Sequence, residues 1–229
     1  MLVPRHLELS ILPVEIYFGS AVKSATLARQ TTDMIAQQHG HLKWLDLYWE
    51  SVAWDAGDEI DPDPEELENI DEAVARLAEL IGVFLQSVFA TDVFAVMTLE
   101  AFVNGLASDM LGGSMLDQFD RLSLEGKWLF LPRLVGRDSF DPGREPFQGF
   151  RRLVRRRNAH VHTKKDEPLH VVGGDLADEF LRSRLSQIDD ALATVRGLIT
   201  QISTLLGTEL PNWVQEGELA YYHLREIEN

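Results

Sequence analysis

The densest chemistry in the sequence lies between residues 147 and 165. Arg151-Arg152 and Arg155-Arg156-Arg157 place five guanidinium groups within seven positions, and Asn158, His160 and His162 follow directly. A guanidinium is a fixed cation that can grip a phosphate through two parallel hydrogen bonds and stabilise charge growing in a transition state. An imidazole takes up and returns a proton near neutral pH. Placed together, Arg157 and His162 suit phosphoryl chemistry. They can activate the ribose 2′-hydroxyl of RNA against the neighbouring phosphate without a metal, a reaction closed to DNA, which lacks that hydroxyl.

A helix must position these groups. Phe147, Phe150, Leu153 and Val154 interleave with the arginines. On a helix Arg151 and Arg155 share one face with Arg152 and Arg156 beside it, while Phe150, Leu153, Val154 and Arg157 turn to the opposite side, next to the core. Arg157 is therefore the arginine expected to point inward or into a groove shaped by a second helix or a second subunit. His162 shares a small site with it if the helix continues, or ends, at that point.

The charge distribution isolates the same region. Residues 121–165 hold twelve Lys/Arg and four acids, a segment of net +8 inside a chain of net −16. Such asymmetry creates a local field able to attract an anion, although an acidic molecule as a whole repels nucleic acid. The chain has no cysteine, which removes disulfides, thiolate zinc sites and cysteine nucleophiles together. The first ten residues lack a charged start followed by an apolar run, and no uninterrupted apolar stretch approaches the ~20 residues that span a bilayer. A cytoplasmic protein without membrane association is the expectation.

The remaining sequence reads as helices. Val22, Ala25 and Ala28, then Leu42, Leu45, Trp49 and Val52, fall at helical spacing across residues 13–54, with Gly40 as a break. Trp44, Trp49 and Trp54 suit packing. Residues 56–64 form a linker of Asp, Gly and Pro, and Asp63-Pro64-Glu65-Glu66 is a helix start. Helical periodicity continues to Met110, as two helices or as one bent near Thr91-Asp92, and ends at Gly112-Gly113. A short helix over 121–136, a loop over 136–146, the basic helix and a long helix over 175–206 complete the series. With no period-two alternation and no repeats, the sequence predicts an all-α helical bundle of about five to seven helices. The expected division is a helical extension at 1–60, a bundle at 61–206 and a tail at 207–229 carrying Trp213, Tyr221 and Tyr222.

Arg157-Asn158-Ala159-His160-Val161-His162 resembles the Arg–x4–His motif of HEPN-domain proteins, in the form with Asn after the Arg. Leu99-Glu100-Ala101-Phe102-Val103-Asn104 is similar to a helix that these proteins carry upstream. Ser123-Leu124-Glu125-Gly126-Lys127-Trp128 followed by Leu131-Pro132 is similar to the segment that precedes the motif, and Lys164 falls where a basic residue follows it. The resemblance covers roughly residues 75–205. It implies a homodimer with two motifs at a shared cleft, and a metal-independent endoribonuclease of toxin, defence or RNA-processing type, paired with a cognate antitoxin or regulatory protein. Arg157 and His162 would be catalytic, with Asn158 orienting them or touching RNA. Arg151, Arg152, Arg155, Arg156 and Lys164 would hold substrate, and Glu100 and Asn104 would form a supporting polar cluster. No cofactor or metal is implied.

Other readings of these residues stay open. Arg157 and His162 can be structural, the Arg paired with a buried acid such as Glu100 and the His capping a helix C-terminus. The chain is then a non-catalytic HEPN-like binding or regulatory module. The arginines can instead grip the phosphate of a nucleotide. A metal site at His160, His162 and His170 is the remotest reading, because residues two apart on a helix cannot face one ion.

Overall fold

The computed structural model describes residues 7–10, 12–37, 64–161, 175–216 and 223–226. Leu77, Leu80, Phe84, Val88, Ala95, Leu99, Val103 and Ala107 recur at intervals of three or four residues, once of seven, and one continuous helix buries them all. In chain order the described elements are β1 (Leu7–Ser10), α1 (Pro13–Gln37), α2 (Pro64–Met110), α3 (Gly113–Asp120), α4 (Leu124–Leu134), α5 (Phe147–Val161), α6 (Asp175–Leu206), α7 (Asn212–Glu216) and β2 (His223–Glu226). The protein is an all-α bundle with one two-stranded ribbon.

Several boundaries follow from local chemistry. The helix α2 begins at Pro64, a residue suited to a first helical position, and runs through Thr91 and Asp92 as one element. Both residues are buried inside it. The helix α4 starts where the Ser123 hydroxyl accepts the Gly126 amide at 3.1 Å, an N-cap, and Gly136 at φ +73° takes up the left-handed turn beyond its end. The Gly112-Gly113 break is real, but α3 follows it at once, a helix too short to show a period in the sequence. Gly207, at φ +71°, closes α6.

The chain divides into two compact units, and the division is discontinuous in sequence. One comprises residues 1–23, 90–162 and 189–229; the other comprises 24–89 and 163–188. In the second unit the buried apolar residues among those described are Ala25, Ala28 and Ile35 of α1, Leu77, Leu80, Phe84 and Val88 of α2, and Leu181 and Ile188 of α6.

The first unit is organised by aromatic rings. Trp128 of α4 is fully buried and meets Phe102 of α2 at 6.4 Å, Phe140 at 5.9 Å and Phe150 of α5 at 6.0 Å. Phe147 continues the chain to Phe140 and Phe150, and Trp213 of α7 joins Phe102 and Phe18. Each such pair contributes about 0.5–1.5 kcal/mol beyond the area it buries. These contacts dock α5 by its apolar side. In the same unit Leu7 to Ser10 pair antiparallel with Glu226 to His223. The all-α reading of the sequence holds, and strands of four residues are too short to leave an alternating pattern in it. The tail thus packs on its own chain through Trp213 and β2.

One stretch of α2, Ala75–Met110, is long and apolar enough to cross a bilayer by length and composition, with a most apolar window of mean hydropathy 1.9 of which 44% is buried. Single polar residues such as Asp92 interrupt the run in the sequence without much lowering its average. The expected break at Gly40, the linker at 56–63 with Asp63, the boundary near residue 60, Trp44, Trp49, Trp54, Tyr221 and Tyr222 lie outside the described residues.

Candidate functional site

The helix α5 buries Phe147, Gly149, Phe150 and Leu153 and turns its arginines along the flanks of that stripe. Three of the five are tied to carboxylates. The Arg151 Nε donates to Glu125 Oε2 on α4 at 2.9 Å. The Arg152 Nη2 donates to Glu145 Oε1 at 2.8 Å, and the other oxygen of Glu145 accepts the Gly149 amide at 2.8 Å. Burial pushes the Glu145 carboxyl up, but the Arg152 guanidinium and the Gly149 amide outweigh it, so the group is held below its ordinary value of 4.5.

The third pair is the buried one. The Arg156 Nε donates to Asp92 Oδ2 and its Nη2 to Asp92 Oδ1, both at 3.0 Å. The Asp92 side chain is 2% exposed and that of Arg156 19% exposed. One turn further along α5, His160 brings Nε2 to 3.4 Å from Asp92 Oδ2, an ion-pair distance rather than a well-formed hydrogen bond. Arg156 and His160, four positions apart, therefore share a helix face and converge on one carboxylate of α2. The arginine turned inward is Arg156, and the expectation that Arg157 fills that place is corrected. The reason is rotational. The aromatic residues that dock α5 leave its Arg156 and His160 turned toward α2.

Arg157 is half-buried and Arg155 is exposed, and neither makes an ion pair among the described residues. Asn158 is exposed beside Arg157. Val161, on the same side of the helix as Phe150 and Arg157, is 53% exposed. The docked stripe therefore emerges from the core over the last turn. α5 ends at Val161, so His162 and Lys164 lie outside the described residues, as does His170.

The residues expected to support the motif fall elsewhere. Glu100 is exposed rather than buried against an arginine. Asn104 accepts the Lys127 Nζ at 2.9 Å, and that ammonium is also 3.7 Å from Asp120 Oδ1 and 5.6 Å from the centre of the Phe119 ring. At a rise of about 1.5 Å per residue, Glu100 and Asn104 lie roughly 12 and 18 Å along α2 from Asp92. Asn104 belongs to a different polar contact, in which Lys127 is buried. Among the described residues no three His, Asp or Glu side chains are placed to hold a metal ion.

Asp92 was not singled out in the sequence as a site residue, although a signal was present. It stands on the apolar stripe of α2 between Val88 and Val96, and an acid on a buried face requires a cation nearby. The spacing of Arg156 and His160 offers one.

No protein-family model matches the chain, and no curated protein or solved structure matches it.

Proposed function

We propose that the chain is a HEPN-like, metal-independent endoribonuclease in which Arg157 and His162 carry the reaction. His162 removes the proton from a ribose 2′-hydroxyl and the 2′-oxygen attacks the adjacent phosphorus. Arg157 stabilises the charge on the phosphoryl oxygens. The bond to the 5′-oxygen breaks, that oxygen takes a proton, and the products are a 2′,3′-cyclic phosphate and a 5′-hydroxyl. Asn158 contacts the RNA or orients the pair. Arg155 and Lys164 extend the binding surface, and a second copy of the chain brings a second motif to the cleft. A cognate antitoxin or regulatory protein in the cytoplasm is the partner that this reading carries with it.

The observation that supports this reading is the division of labour between adjacent arginines. The structural task that an Arg on this helix can perform is taken by Arg156, which neutralises Asp92. Arg157 is left without an ion pair among the described residues, beside an exposed Asn158, at the end of the helix.

A second reading has its own observation. Arg151, Arg152 and Arg156 are each matched by a carboxylate, which lowers the field available to a polyanion. A non-catalytic binding or regulatory module is consistent with that compensation.

Incubating the purified protein with mixed-sequence RNA in EDTA separates the two. Cleavage that survives chelation, leaves cyclic phosphate ends and disappears in both Arg157→Ala and His162→Ala supports the nuclease. Cleavage that persists in Arg157→Ala removes the proposed site. Absence of cleavage in every sample favours the binding module.

A further inference from the structure

We infer that the cleft between the start of α1, the second half of α2 and α7 is a binding site for a small organic cation, an ammonium group carrying an apolar body. The cleft lies within the first unit, has a volume of about 630 Å³, and draws no lining residue from α5. Clefts of roughly 300–1,000 Å³ are the size that holds small ligands. The inference is therefore independent of the Arg157 site.

The lining specifies the ligand class. Phe102, Leu106 and Trp213 supply an apolar wall, and the edge-on contact of Phe102 with Trp213 at 6.2 Å fixes both rings. Glu15 and Asp109 supply two carboxylates, while among the described residues no Lys, Arg or His lines the cleft. An anionic ligand would meet repulsion without compensation. A cation would meet two carboxylates and an aromatic face, the surroundings in which ammonium groups are held.

Glu15 is the most informative residue. It is the third residue of α1, and its carboxylate reaches back to the Leu12 amide, the second half of a capping box. That contact is 3.4 Å long and engages one oxygen only. The residue is 6% exposed, and no cation pairs with it among the described residues. A helix cap needs a carboxylate or amide at this position but not one shut away from water, since a buried carboxylate without a counter-charge is costly. An ammonium seated in the cleft supplies that charge.

Calorimetric titration of the full chain with phenethylamine, and with hydrocinnamate as its anionic counterpart of similar size, tests the inference. Phenethylamine is expected to bind saturably at one site per chain and hydrocinnamate not to bind. Glu15→Gln keeps an oxygen for the cap, and it is expected to weaken phenethylamine at least about tenfold, the loss of one charge-assisted contact. Asp109→Asn, at an exposed position, is expected to weaken it less. Circular dichroism of both variants checks that the fold persists. Failure of phenethylamine to bind, equal binding of the two probes, or unchanged affinity in a folded Glu15→Gln together with unchanged affinity in Asp109→Asn overturns the site.

Discussion

Arg156 grips Asp92 through two parallel hydrogen bonds of 3.0 Å, joining the basic helix α5 to the apolar helix α2 across 64 positions of sequence. Removing one member leaves the other charge buried. Arg156→Ala is expected to destabilise the protein by about 3 kcal/mol, toward the low end for a broken buried pair because His160 still faces Asp92. Urea denaturation measures it. A change below about 0.5 kcal/mol, the range of ordinary surface substitutions, contradicts the anchoring role.

The neighbouring residue is expected to behave in the opposite way. Arg157→Ala alters stability by no more than about 0.5 kcal/mol, because no ion pair is lost among the described residues. If the proposed nuclease is correct, the same variant has lost RNA cleavage. Comparing the melting curve with the cleavage assay for Arg156→Ala and Arg157→Ala separates anchoring from chemistry. A large stability loss in Arg157→Ala shows that this arginine is structural.

Binding of single-stranded RNA, where it occurs, is expected to depend on salt through the uncompensated arginines. Each phosphate contact contributes about 0.7 to the slope of log affinity against log salt. Arg155→Ala lowers that slope by about one contact, whereas Arg151→Ala, whose guanidinium is held by Glu125, leaves it nearly unchanged. Equal effects of the two substitutions mean that the Glu125 pair opens to RNA.

At Gly149 the helix α5 passes close to α6. A Cβ there would lie 2.6 Å from the Thr194 hydroxyl and 2.9 Å from Glu145 Oε2. Gly149→Ala is expected to destabilise by about 1–3 kcal/mol through overpacking, despite the better helix propensity of alanine. Thermal denaturation of the variant, with Gly105→Ala as a control that meets nothing within 4 Å, reads the difference.

Acid lability follows from Glu145. Its carboxyl is held below the ordinary value in the folded chain, so the unfolded chain binds the proton more readily. Its contribution is therefore present above the unfolded value and is lost as pH falls through the folded one. Glu145→Gln is expected to melt lower than the wild type at neutral pH and to match it once both states are protonated. Both partners are about half exposed, so the difference is small and shrinks with added salt. A gap between the two melting curves that does not close in acid assigns it to packing instead.

The sequence by itself determined the long helices. A three-to-four-residue apolar stripe is a local property, and so the start of α5, the bounds of α6 and the end of α2 at Met110 were readable from Leu153, Leu192 or Val103 and their neighbours. It also located the basic segment, because charge adds along the chain. Only the tertiary structure decided which arginines are compensated. Whether Arg156 or Arg157 faces a carboxylate depends on how the Trp128, Phe147 and Phe150 rings rotate α5 against its neighbours. That angle is set by long-range packing, which no spacing rule records. The same holds for the displacement of Asn104 to Lys127, the meeting of β1 with β2, and the enclosure of Glu15 beside Trp213. Each joins residues far apart in the chain, and each depends on burial, which a sequence pattern suggests and only a packed core enforces.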